Sequence, residues 1–156
     1  MNCQDVRIIE LPAMRVASAL GFGEEPEAQA WEIIRGFAAN HGIDLGDKAV
    51  ITYGFNNPVP TPGNDRYGYE IWLPVDAGVP ADAPVEIKDV PCAKYAVTRF
   101  TGLSNIGRAW KELVAWFEDS PYTQPPNWHQ CLEALRNPLE ADPEKFLFEL
   151  YLPLGD

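Results

Sequence analysis

One stretch of this sequence recurs at a fixed distance, and that recurrence limits the possible folds more than any other feature. Val6-Arg7-Ile8-Ile9-Glu10-Leu11-Pro12 is echoed by Val85-Glu86-Ile87-Lys88-Asp89-Val90-Pro91, with prolines 91 − 12 = 79 positions apart. Ala30-Trp31 returns as Ala109-Trp110 (110 − 31 = 79). Tyr69-Glu70-Ile71-Trp72-Leu73-Pro74 returns as Phe148-Glu149-Leu150-Tyr151-Leu152-Pro153 (149 − 70 = 79), so no gap is needed. A unit this long, present twice, does not suit a stacked solenoid array. The expectation is one domain over 1–156 with pseudo-repeats 6–75 and 85–154, joined by the Pro- and Gly-containing segment Ala77 to Pro84.

Within one repeat, Val6 to Leu11 alternates apolar and polar residues as a strand does. Pro12 ends or bulges it, and Arg15 to Phe22 extends beyond it. Glu25-Pro26 opens a helix with Trp31, Ile34, Phe37 and Ala38 on one face, and Asn40-His41-Gly42 stops it. Ala49 to Phe55 reads as a strand, Asn56 to Asp65 as a turn-rich loop, and Tyr67 to Val75 as the closing strand. The second repeat follows the same order. Cys92 to Phe100 extends, and Ser104 is placed to cap a helix carrying Ile106, Trp110, Leu113, Val114 and Phe117. Trp128 to Leu135 reads as a strand, with a helical alternative open at Leu132 to Arg136, and Phe146 to Leu154 is the last strand. The implied class is α+β: duplicated β-α-β-β units forming an antiparallel sheet, with helices on one face.

Charge narrows the function classes. With 12 Lys+Arg against 23 Asp+Glu, the formal net charge is −11, and no basic stretch occurs. Direct nucleic-acid binding needs such stretches to neutralise phosphates, so it is not expected. No signal peptide or membrane-length apolar run is present, so a cytoplasmic address without membrane attachment is expected. Cys3, Cys92 and Cys131 lack metal or disulfide spacing and read as free, buried thiols. No metal and no nucleotide cofactor is expected, because GxGxxG and P-loop motifs are missing and neither His41 nor His129 neighbours a nucleophile motif.

Side chains alternate across a strand, so the closing strands present two different faces. Tyr67, Tyr69, Ile71 and Leu73 share one face, as do Phe146, Phe148, Leu150 and Leu152. The other face carries Glu70 with Trp72, and Glu149 with Tyr151. A carboxylate beside aromatic rings suits an aromatic or cationic small molecule. Tyr53 and Phe55, in the neighbouring strand, offer one more ring to such a site, and Trp128 offers a lid or wall. Trp31 and Trp110 read as core, while Trp116 is undecided.

These residues carry a resemblance. The duplicated unit, the Val-x-Ile-x-x-Leu/Val-Pro openings and the Glu-Leu-Tyr-Leu-Pro-Leu ending at Glu149 to Leu154 resemble the GyrI-like small-molecule-binding domain. That domain is also the effector-binding domain of AraC-type and MerR-type regulators. The sequence shows no helix-turn-helix segment, so a free-standing form is expected. The resemblance implies a curved antiparallel sheet with a central groove between two repeats, where an acidic residue pairs with organic cations among aromatic walls. Glu149 matches the acidic position best, Glu70 is its repeat mate, and Tyr151 and Trp72 match the walls. It implies three activities: sensing or sequestering aromatic, cationic or amphipathic molecules; opening the cyclopropane ring of DNA-alkylating natural products; or binding a protein partner, as a gyrase inhibitor does. In the hydrolase, Glu149 would be the base, or Glu70 and Glu149 an acid/base pair.

Overall fold

The structure is a computed structural model that describes residues 5–125 and 130–155. The strands are β1 (Val6–Leu11), β2 (Met14–Gly23), β3 (Tyr53–Asn56), β4 (Tyr67–Pro74), β5 (Glu86–Val90), β6 (Ala93–Thr101), β7 (Leu132–Leu135) and β8 (Leu147–Leu154). The helices are α1 (Pro26–Asn40) and α2 (Ile106–Glu118). Among the described residues, no helix is long and apolar enough to cross a membrane. The chain forms two compact units: a contiguous one, Met14–Val90, and a split one, Met1–Ala13 with Pro91–Asp156.

In the contiguous unit the strands run β3-β4-β2-β5, with antiparallel pairing at β3·β4, β4·β2 and β2·β5. Pro26 fits the first turn of α1, where its missing N–H leaves no bond unmade. Gly42, at φ +69, follows the helix end in the left-handed conformation that glycine tolerates. Ala30, Ile34, Phe37 and Ala38 pack on Ala17, Ala19, Tyr69, Ile71 and Leu73, which project from one face of β2 and β4. Each large apolar side chain buried there contributes on the order of 1.5–3 kcal/mol. Trp31 is partly buried at the edge of this core, with the Arg35 guanidinium over its ring.

In the split unit the order is β1-β6-β8-β7, also antiparallel. Ala109 and Leu113 of α2 pack on Ala96, Leu150 and Leu154, with Trp110, Trp116 and Phe117 partly buried around them. Val114, expected on this face, is exposed. Trp116 stacks on Tyr122, so it belongs to the core margin.

The strand pairing departs from the sequence repeat. β1 pairs with β6 and β5 pairs with β2, so the strand opening each expected pseudo-repeat lies in the compact unit that holds the rest of the other. The proline after each opening strand frees it from continuing into the next. Three local expectations change as well, and one open alternative closes. The strand expected from Ala49 begins only at Tyr53, because the Asp47 carboxylate and carbonyl draw the Ala49 and Val50 amides into a turn. Ser104 is not the cap of α2: it lies in a 3-10 turn, and its hydroxyl donates to the Glu144 carboxylate. Leu132–Leu135 is strand and not helix, and the Trp128 end of that expected segment lies outside the described residues. Cys92 and Cys131 are exposed instead of buried.

Candidate binding faces with buried glutamates

Each unit has one sheet face packed by a helix and one free of helix. The register of β2, β4 and β3 puts Ser18 opposite Trp72, Leu20 opposite Glu70, Tyr53 opposite Trp72 and Phe55 opposite Glu70. Because Tyr69, Ile71 and Leu73 face α1, alternation puts Glu70 and Trp72 on the helix-free face. The same logic places Glu149 and Tyr151 on the helix-free face of the split unit, since Leu150 and Leu154 face α2.

Glu70 is only 2% exposed, and it is fully bonded. Its Oε2 accepts from Ser18 Oγ at 2.7 Å, Trp72 Nε1 at 2.6 Å and Lys88 Nζ at 2.8 Å, while Oε1 accepts from Asn57 Nδ2 at 2.9 Å. Asn57 reaches it because Gly68, across the pair, has no Cβ: one there would collide with the Asn57 backbone. The indole of Trp72 meets Phe55 edge-on at 4.7 Å. Leu20 and Phe22 lie on the same face and are half exposed, giving apolar surface beside the carboxylate.

Glu149, also 2% exposed, has different company. Arg7 Nη2 and Arg99 Nη2 both donate to Oε2 at 2.9 Å, and Arg136 Nη1 donates to Oε1 at 2.7 Å. The Tyr151 hydroxyl is 3.4 Å from Oε1, and its ring meets Tyr95 edge-on at 5.7 Å. The same spacing relates partners: Asn57 and Arg136 (136 − 57 = 79) each donate to Oε1 of their glutamate, and Trp72 and Tyr151 (151 − 72 = 79) lie beside theirs, at 2.6 Å from Oε2 and 3.4 Å from Oε1.

Burial pushes both carboxyls up, but in each the bonded partners win. Lys88, Ser18, Asn57 and Trp72 hold Glu70 below the ordinary glutamate value. Arg99 and Arg136 do the same for Glu149, by hydrogen bond and by charge. A carboxylate so stabilised is a weak base, and the two are shifted in the same direction, not apart as an acid/base pair requires.

The candidate residues thus fall on two faces: Glu70, Trp72, Tyr53 and Phe55 on one, Glu149 and Tyr151 on the other. Trp128 and His129 lie outside the described residues. The His41 ring lies tilted against Phe37 at 4.3 Å beyond the helix end, with Nε2 3.6 Å from Asp82. Sequence reasoning missed Ser18, Asn57 and Lys88 around Glu70, and Arg7, Arg99 and Arg136 around Glu149. The repeat spacing carried a signal for Asn57 and Arg136, and a charge in mid-strand carried one for Arg99.

The antiparallel α+β fold is that of a class of small-molecule-binding domain. The chain belongs to the GyrI-like small molecule binding domain family, whose sequence profile matches residues 4–154. No curated protein sequence matches it. Among solved structures it is similar to EcmrR, at 13% identity. Its fold aligns with that protein's C-terminal domain at a TM-score of 0.72 over 99% of both chains. In the EcmrR–DNA complex the TM-score is 0.74 over 97% of this chain, which spans 57% of the EcmrR chain there. A hydrolase from Listeria innocua aligns at TM-score 0.69 and 15% identity, covering 97% of this chain and 92% of that one. SAV2435 bound to tetraphenylphosphonium aligns at TM-score 0.59 and 15% identity, covering 97% and 94%.

Proposed function

We propose that this protein binds aromatic, amphipathic small molecules against its helix-free sheet faces, to sense or sequester them. One observation carries the reading: each face holds a buried, ionised glutamate with an aromatic donor two residues along the strand, in place of the apolar side chains that fill the opposite face. An ionised group held away from water is costly unless it is neutralised. Here the neutralising partners reach in from the rim, and the Lys88 side chain is 39% exposed. A ligand cation displacing Lys88 would keep Glu70 neutralised while its rings lie on Leu20, Phe22, Phe55 and Trp72. Glu70, with one cationic partner, suits a cation better than Glu149, with three. The similarity to SAV2435, whose structure holds the aromatic cation tetraphenylphosphonium, supports the same ligand class.

The test is titration with rhodamine 6G, followed by fluorescence anisotropy. Saturable binding that weakens about tenfold or more in Glu70→Gln supports the reading, that being the scale of one charged hydrogen-bonded contact. Equal affinity in parent and variant removes Glu70 as the counter-ion. Absence of saturable binding removes the cationic ligand class.

A further inference from the structure

We infer that the helix-free face of the split unit is an anion site, one that takes the carboxylate of an organic acid through Arg7 and Arg99. The inference rests on the reading that ligands dock on the helix-free faces. It assigns a second, opposite ligand charge to one of them.

The argument begins with a charge count. Arg7, Arg99 and Arg136 all contact one carboxylate, Glu149, so the cluster has a formal excess of 3 − 1 = 2 positive charges. That excess stands out in a chain of net charge −11. Among the described strand positions of this face, no other acid stands beside Arg7 and Arg99. The residues alternating with the arginines on β1 and β6 are Ile9, Leu11, Tyr95 and Val97, and β7 contributes Leu132 and Ala134. Glu133 points the other way, where Trp110 Nε1 donates to it at 2.9 Å. Glu149 is the one acid among the described strand positions of this face.

Donor capacity gives the second line. A guanidinium carries five N–H groups, and a carboxylate has about four acceptor sites. Arg7 and Arg99 each give one N–H to the same Oε2, and their side chains are 50% and 56% exposed. Two half-exposed guanidiniums converging on one oxygen therefore retain donors for a second, incoming acceptor. Planar forks of this kind match a carboxylate in a bidentate way. Glu149 has the role of holding the forks together, and it is a positioning residue for them. Were it the counter-ion of a cationic ligand, that ligand would have to approach three arginines.

The experiment uses the whole chain and two probes: anthracene-9-carboxylate as the anion and rhodamine 6G as the cation, each titrated by fluorescence. The expected result is saturable binding of anthracene-9-carboxylate, weakened about tenfold in Arg7→Gln and in Arg99→Gln, with rhodamine 6G affinity unchanged or tightened. Both substitutions are at half-exposed side chains, so melting curves should stay close to the parent's. Anthracene-9-carboxylate binding that is absent, or equal in parent and both arginine variants, overturns the inference. Rhodamine binding in that same outcome leaves the proposed function standing. If neither probe binds, both fall.

Discussion

Replacing Glu149 with glutamine keeps the side chain's shape and removes its charge, and the effect on stability can be worked from the contacts. Three charge-assisted hydrogen bonds are affected, from Arg7, Arg99 and Arg136, at 2.9, 2.9 and 2.7 Å. A hydrogen bond to a charged group contributes about 1.5–3 kcal/mol. Arg7 and Arg99 are half exposed, so solvent screening reduces their share to about 0.5–1 kcal/mol each. Arg136 is 21% exposed and keeps about 2 kcal/mol. The sum is about 3–4 kcal/mol, within the 3–5 kcal/mol or so typical of breaking a buried ion pair on one side. The sign against pH follows from the direction of the shift. Glu149 is held below its ordinary value of 4.5 in the folded chain, so its contribution is complete above that value. It is lost as the pH falls through the lower, folded value. Urea unfolding followed by circular dichroism should therefore show a parent-to-variant gap of about 3–4 kcal/mol at neutral pH, narrowing in acid below 4.5. A gap under about 1 kcal/mol at neutral pH, or one that does not narrow in acid, refutes the reasoning.

Three further outcomes are expected. Trp72→Phe keeps a ring beside Phe55 but removes the indole donor to Glu70, so the Glu70 carboxyl should titrate closer to the ordinary glutamate value, read by carbon NMR. Gly68→Ala should cost about 1–3 kcal/mol in urea unfolding, because its methyl meets the Asn57 backbone. Leu113→Ala, at a fully buried position of α2, should cost about 2–5 kcal/mol. A loss below 1 kcal/mol there would mean that α2 does not pack on the β6–β8 face as described.

The sequence disclosed the elements more readily than their partners. Period-two and helical patterns located β1, β2, α1, β4, β5, β6, α2 and β8 within a residue or two, because the burial of each leaves a pattern. The four-residue strands β3 and β7 were harder. β3 is cut to four residues by a turn at Asp47, whose side-chain bonding leaves no periodic trace. The exchange of opening strands was not legible, because pairing β1 with β2 or with β6 demands the same alternation of side chains. The glutamates were found by repetition and alternation. Their ion partners were not, since Arg7, Arg99 and Lys88 meet them across strands that sequence alone does not order. That omission reversed the electrostatics: Glu149 looked like a bare anion awaiting a cation, and in the folded chain it is surrounded by arginines.

The most direct check follows the indole N–H signals of the nitrogen-15-labelled protein by NMR while rhodamine 6G is added. Trp72 lies on the helix-free face, whereas Trp31 and Trp110 border the helix-packed cores. A saturable shift of the Trp72 indole, with Trp31 and Trp110 nearly unmoved, is the predicted result. Shifts confined to Trp31 and Trp110, with Trp72 silent at saturation, would place the ligand on the wrong side of the sheet and contradict the account.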